Sequence, residues 1–312
     1  MTAGAHDRDS DALIVRHIDH APDLLRLHEL DPGRYPHLLQ SVTPGPQARF
    51  DILFAYPEDS LTLGPDGRVH GEGAVGGDFL AALDLAWQCA ALPVHAAHAE
   101  LPFRGGWFLY LGYELAGQIE PRLHLPGSDT GTPVAVATRF RTALIRDHQK
   151  RGLWLIAEPA AQARVGQMLR DIARVAALPE PAMPKLTTAT ITEDDPAHYL
   201  TRVRRVLAYI RDGDVFQANL ARRWTAQFAQ PVPASALYRR LRLHNPAPFS
   251  GLASWPGHAV ISSSPERLVR VRQGVIDTRP IAGTRPRAQG ADSDRALSRE
   301  LLAHPKERAE HV

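Results

Sequence analysis

The sequence predicts an α+β fold, and three observations carry that reading. Aliphatic runs recur in pairs around turn residues, as antiparallel strands do: residues 61–69 around Pro65-Asp66-Gly67, residues 134–145 and 153–157 around a polar turn at 147–152, and residues 268–271 and 275–276 around Gln273-Gly274. Other stretches place apolar residues at helical spacing, as in Phe79, Leu80, Leu83, Ala86 and Trp87, or Tyr199, Val203, Val206, Leu207 and Ile210. The 312 residues also suffice to bury a large core, in one big domain or two.

Taken in order, residues 1–10 are small and polar and are expected to fray. Residues 12–18 read as a first strand and residues 36–42 as a second, before a Pro/Gly turn at 43–46. Residues 49–56 alternate well enough for another strand. Asp78 is an N-cap for a helix over 78–91, and Gly105-Gly106 opens a continuous apolar run, 107–117, of the kind found in a buried strand. A helix is expected over 160–176, followed by a Pro-rich break at 179–190. Thr192 to Asp195 has the spacing of a capping box, and Gly213 is a C′ residue for the helix that follows. In the next strand Phe216, Ala218, Leu220, Trp224 and Phe228 fall on a core face, with Gln217, Asn219, Ala221 and Arg223 opposite. A helix at 233–244, strands at 248–255 and 259–263, and a last helix capped by Ser293 or Asp294 and interrupted at Pro305 complete the series.

Composition excludes several function classes. A net charge of +2 gives no footing for nucleic-acid binding, and no run approaches the roughly 18 apolar residues of a membrane span. The amino terminus lacks the basic and apolar regions of a signal peptide, so a cytoplasmic protein is expected. The single cysteine, Cys89, rules out an internal disulfide or a thiolate metal cluster and is read as a packed apolar residue.

The chemistry concentrates at residues 264–287. Ser264-Pro265-Glu266 enters the Gln273-Gly274 hairpin, and Arg279-Pro280-Ile281-Ala282-Gly283-Thr284-Arg285-Pro286-Arg287 leaves it. Guanidinium forks, a glycine that lets a backbone N–H approach closely and a hydroxyl suit a small anion, with Glu266 as a proton donor or acceptor beside it. The other reading is a solvated strand edge on which Glu266 is the arginines' salt-bridge partner.

SPERLVRV followed by DTRPIAGTRPR resembles the signature hairpin of the chorismate-utilising enzymes, the family of anthranilate synthase component I and aminodeoxychorismate synthase component I. GDVFQANLARRW (213–224) and KERAEHV (306–312) agree with it, and LLQS (38–41), RFDI (49–52) and LPFRGGWFLYLGYELAG (101–117) resemble the aminodeoxychorismate branch. The resemblance implies a single large domain with two antiparallel sheets in a sandwich-like core flanked by helices. Residues 1–178 would be its N-terminal part, 179–190 an internal connection, and 191–312 the start of the chorismate-binding catalytic region. The absence of a stop signal at Val312 leads us to expect that the C-terminal part of the fold is missing.

For chemistry, the resemblance implies amination of chorismate with ammonia from a partner glutamine amidotransferase, giving 4-amino-4-deoxychorismate for 4-aminobenzoate and folate synthesis. Mg²⁺ is the implied cofactor, with Glu307 and Glu310 on the metal side and Glu310 as the direct or near ligand. Glu266 takes the general acid's position, and Gly283 and Thr284 the substrate-contacting positions. Gln217 stands where water-using relatives place a lysine, which points to ammonia as nucleophile. Ala282 departs from the lysine of many aminodeoxychorismate synthases and matches anthranilate synthases, so anthranilate synthase component I is the alternative. An inactive fragment acting as a binding module is another. The resemblance also implies a tryptophan pocket at Leu39, Ser41, Arg49, Phe50, Asp51, Pro248, Phe249 and Ser250; Gln40 replaces the usual glutamate there, which argues against feedback by tryptophan.

Overall fold

The computed structural model describes residues 12–310 apart from 20, 44, 46–47, 72–76, 93–97, 128–130, 184 and 282, and for Glu310 it describes the backbone alone. The chain divides into two compact units, residues 1–179 with 241–312, and residues 180–240. It is α+β, with antiparallel sheets and helices.

The first unit is built on one antiparallel sheet of nine strands among the described residues. Strands β1 (Ile14–Ile18), β2 (His37–Gln40), β3 (Phe50–Leu63), β4 (Val69–His70), β5 (Gly106–Leu111), β6 (Ala135–Asp147), β7 (Gly152–Ala157), β10 (Phe249–Trp255) and β11 (His258–Ser264) compose it. The order is β1-β7-β6-β3-β2-β10-β11, with β4 added to β3 and β5 to β6. β3 and β6 are its spine, since β6 alternates little and is buried along nearly all its length. The helices are α1 (Leu24–Leu30), α2 (Phe79–Ala90), α3 (Ala116–Ile119), α4 (Gln162–Ala177), α7 (Ala291–Ala303) and α8 (Pro305–Glu310). The two-stranded ribbon of β12 (Arg270–Arg272) and β13 (Val275–Asp277) also belongs to this unit.

Several local signals are borne out, although the N-cap of the helix expected to start at Ser293 or Asp294 is Gly290 and both residues lie inside it. Asp78 caps α2 by accepting from the N–H groups of Leu80 and Ala81. Gln273 and Gly274 sit at φ 52° and 75°, the paired positive values a two-residue hairpin turn requires. Several expectations are corrected. The run 107–117 is strand only as far as Leu111, and Leu109 and Leu111 are exposed, because β5 lies on the outer side of β6 and the chain turns helical at Tyr113. Cys89 is exposed, since α2 buries Phe79 and Ala82 and turns the far side of its last turn outward. The structure adds helix α1, whose N-cap is Asp23 ahead of LLRLHEL, its side chain accepting from Leu25 N–H.

The second unit holds β8 (Thr188–Glu193), α5 (Pro196–Asp212) and β9 (Trp224–Phe228); α6 (Ala234–His244) follows and runs across the boundary. Asp195 is the N-cap of α5, with Pro196 at the first helical position, so Thr192 is a residue of β8 and the expected capping box is not made. Gly213 ends α5 in the left-handed region at φ 83°. The expected strand over 216–228 is strand only from Trp224, and Phe216 is 92% exposed. A strand needs a neighbour, and the β8–β9 ladder pairs only residues 224–228. The stripe Tyr199, Val203, Val206, Leu207 and Ile210 faces Ala218, Asn219 and Leu220 across a cleft of about 440 Å³.

Two buried polar features tie the large sheet together. Arg139 and Glu158, with side chains 4% and 2% exposed, pair at 2.5 Å, and Glu158 also accepts from Arg141. His37, 1% exposed, stacks on Phe108 with ring centroids 4.1 Å apart and touches Phe140 and Trp255. Burial pushes its pKa down to about 3 from 6.5, against a backbone hydrogen bond at Pro36 that raises it. The unfolded chain therefore takes up a proton below pH 6.5 that the folded imidazole refuses. Stability from this residue is intact above that pH and falls on acidification toward about 3, at no more than about 1.4 kcal/mol per pH unit. Replacing His37 with Phe is expected to flatten the fall in thermal midpoint between neutral and acid pH; an unchanged slope in the variant contradicts this origin.

Candidate active site

The ribbon of β12 and β13 sets the geometry. Its register pairs Arg270 with Asp277, Val271 with Ile276 and Arg272 with Val275, and Thr278 Oγ1 donates to the Leu268 carbonyl to close the open end. The carboxylate that the arginines share is Asp277: Arg267 Nη2 and Arg270 Nε each donate to it at 2.6 Å. Glu266 makes no ion pair among the described residues, so the reading in which it neutralises those arginines does not hold. Its backbone is fixed through Ser264 Oγ, which accepts from Glu266 N–H at 3.3 Å and donates to Glu266 O at 3.1 Å. Its Oε1 accepts from Ile281 N–H at 3.3 Å. That single bond spans 15 residues and sets the exposed carboxylate beside the residue that precedes Ala282-Gly283-Thr284.

The other end of this loop meets α8. Arg285 Nη1 donates to Glu307 Oε1 at 3.1 Å, and Arg285 Nε donates to Glu300 Oε1 of α7 at 3.1 Å. Glu307 Oε2 lies 1.6 Å from where a Cβ on Gly283 would stand, so only glycine admits the carboxylate at that spot. Gly283 is half-buried, Thr284 and Glu266 are exposed, and the Glu307 side chain is 13% exposed. The structure thus brings Glu266, Gly283 and Glu307 to one five-residue loop. Ala282 and the side chain of Glu310 lie outside the described residues. Gln217 belongs to the second unit and is exposed in the irregular segment that precedes β9.

Carboxylate oxygens are the donors Mg²⁺ takes, and it commonly uses one or two protein carboxylates with water and substrate oxygens completing the shell. Glu307, with Oε2 turned to the Gly283 backbone, and Glu310, three residues on in the same helix, fit that donor set. Among the described residues no group of three or more His, Cys, Asp or Glu is gathered for a metal.

The residues expected to line a tryptophan pocket are only partly gathered. Ser250 of β10 pairs with Gln40 of β2, Leu39 pairs with Ile52 and with Gly251, and Pro248 and Phe249 lead into β10. Leu39 itself is 40% exposed. Asp51, 2% exposed, is already occupied: it accepts from Ser41 N–H at 2.9 Å and Gln40 Nε2 at 3.4 Å, and its Oδ1 is 2.9 Å from His148 Nε2. Ser41 Oγ donates to the Phe50 carbonyl at 3.0 Å. The hydrogen bond to Asp51 raises the His148 pKa, against partial desolvation. Arg49 points elsewhere, pairing with Asp147 at 3.0 Å and lying over the Phe50 ring beside an open cleft of about 360 Å³. His148 and Glu300 carry no sequence signal as partners of these sites, whereas Arg285 is one of the guanidinium groups the sequence places beside a small anion.

The profile of a family described as chorismate binding enzyme matches residues 39–312. An anthranilate synthase component I-like protein of Synechocystis sp. is 38% identical over 213 residues, 68% of this chain and 43% of that protein. Aminodeoxychorismate synthase component 1 of Klebsiella aerogenes is 34% identical over 273 residues, 85% of this chain and 58% of that protein. The crystal structure of anthranilate synthase component I from Streptococcus pneumoniae superposes with a TM-score of 0.67 at 26% identity, covering 86% of this chain and 60% of that one. The chain spans about half the length of the curated relatives it matches.

Proposed function

The chain belongs to the family of chorismate binding enzymes, and from that membership we propose that it aminates chorismate at C4 to give 4-amino-4-deoxychorismate, with ammonia from a separate glutamine amidotransferase subunit. The observation that carries this reading is the placement of Glu266: free of the arginines and tied to Ile281 N–H at the head of Ala282-Gly283-Thr284. Chorismate is a dianion, and the loop offers backbone N–H groups at Gly283 and Thr284 for one carboxylate. Arg279, which makes no ion pair among the described residues, supplies a nearby cationic charge. Glu266, protonated, gives its proton to the departing hydroxyl, which leaves as water, and recovers one from the incoming nitrogen. When bound, Mg²⁺ would be held by Glu307 and Glu310 and would neutralise and orient a substrate carboxylate. Ammonia, already a nucleophile, needs no base to activate it, and the sequence carries Gln217 at the position where the resemblance puts a lysine in water-using relatives.

The second reading is amination at C2, that of anthranilate synthase component I. Ala282 favours it, because a methyl group cannot attack the ring as a lysine would. The longer stretches of LPFRGGWFLYLGYELAG and FQANLARRW favour C4. Occupation of Asp51 by Ser41, Gln40 and His148 supports a tryptophan pocket that is structural rather than regulatory. Among the described residues no helix is long and apolar enough to cross a membrane. The test is turnover of chorismate by the purified native protein with Mg²⁺: consumption that depends on added ammonium supports amination, and equal consumption without it contradicts amination.

A further inference from the structure

We propose that Arg285 is a positioning residue that makes cation binding at Glu307 conditional on an anion docking at the Gly283 loop. The inference rests on the reading of Glu307 as a cation ligand given above. The Glu307 carboxylate is engaged on both sides: Oε1 accepts from Arg285 Nη1 at 3.1 Å, and Oε2 sits against Gly283, 1.6 Å from the position of an added Cβ. The guanidinium is itself anchored, donating to its own loop at Thr284 O at 2.9 Å and to Glu300 on α7 at 3.1 Å. Arg285 is 22% exposed and Glu307 13% exposed, so solvent screens this pair less than an open surface pair.

Two consequences follow from this arrangement. The bond to Oε1 fixes the carboxylate and aims Oε2 at the glycine where a ligand's carboxylate would dock. The guanidinium also puts a full positive charge within a few ångströms of any cation at Oε2, and that charge opposes the cation until an anion on the loop offsets it. Glu300 neutralises part of the charge, yet as an exposed carboxylate at 61% its contribution is screened. Cation and anion are therefore expected to bind with positive coupling, each strengthening the other by the same factor.

Calorimetric titration of the native protein with MgCl2, with and without saturating chorismate, reads this directly. Arg285→Gln is expected to bind Mg²⁺ about 5- to 20-fold more tightly than wild type when chorismate is absent, because a like charge has been removed. The same variant should show less strengthening by chorismate than wild type, keeping the part that direct contact between the cation and a substrate carboxylate supplies. Arg285→Lys keeps the charge and is expected to stay within about twofold of wild type for Mg²⁺ alone. If Arg285→Gln binds Mg²⁺ equally or more weakly while chorismate still strengthens Mg²⁺ binding in both proteins, the inference falls and the proposed function stands. If chorismate neither binds wild type nor alters its Mg²⁺ affinity, the proposed function falls with it. Equal thermal midpoints of the three proteins confine each outcome to the site.

Discussion

Glu266→Gln is expected to lower ammonium-dependent chorismate turnover by about 10²- to 10⁴-fold while leaving the thermal midpoint unchanged. Glutamine keeps the shape and the Oε1 acceptor, so the bond from Ile281 N–H and the Ser264 clamp on the Glu266 backbone survive. What is lost is the ability to hand a proton to the departing hydroxyl. The fold has no stake in that carboxylate, since Glu266 is exposed and pairs with no arginine among the described residues. The effect should therefore fall on kcat, with chorismate binding by calorimetry nearly preserved. Turnover within a few-fold of wild type would remove Glu266 from the acid role.

The second large effect is on stability. Glu158→Ala is expected to destabilise the first unit by about 3 to 5 kcal/mol, because it strands the Arg139 guanidinium in a site 4% exposed. Arg139 Nη1 keeps the carbonyls of Gly106 and Phe140, but Nη2 loses its carboxylate and Nε already has no partner. Arg141 loses one of its two carboxylates and keeps Glu58. The Gly105 turn loosens as well: at φ 100° it sits where an added Cβ would be 1.9 Å from Glu158 Oε1, so the loop entering β5 is shaped around that carboxylate. Urea unfolding reads the loss as a lower midpoint with unchanged slope. A shift equivalent to less than about 1 kcal/mol would place this pair with ordinary surface ion pairs.

What the sequence revealed and what it hid follow one physical division. Some features decided within a few residues were legible, namely Asp78 capping its helix, Gly213 in the left-handed region and Gln273-Gly274 with two positive φ values, whereas the caps at Asp23, Asp195 and Gly290 were not. Features decided by a distant neighbour were not. The alternation at 216–223 is a sound strand pattern, yet only residues 224–228 find a partner in β8. The run at 107–117 is apolar enough for a buried strand, yet the outer position of β5 leaves Leu109 and Leu111 exposed. The same holds for the site. That Glu266, Gly283 and Glu307 belong together came from resemblance, and the contacts that join them span 15 residues in one case and 24 in the other. No spacing rule announces that Asp277, and not Glu266, collects the arginines. A single ladder position does, since register sets Asp277 across from Arg270.

The ring position of the new nitrogen tests the central claim most directly. The native protein is incubated with chorismate, Mg²⁺ and ammonium, a lyase that aromatises the product is added, and the aromatic acids are separated. The account predicts 4-aminobenzoate. Anthranilate in its place would contradict the C4 assignment and hand the decision to Ala282, and a product without nitrogen would contradict amination altogether.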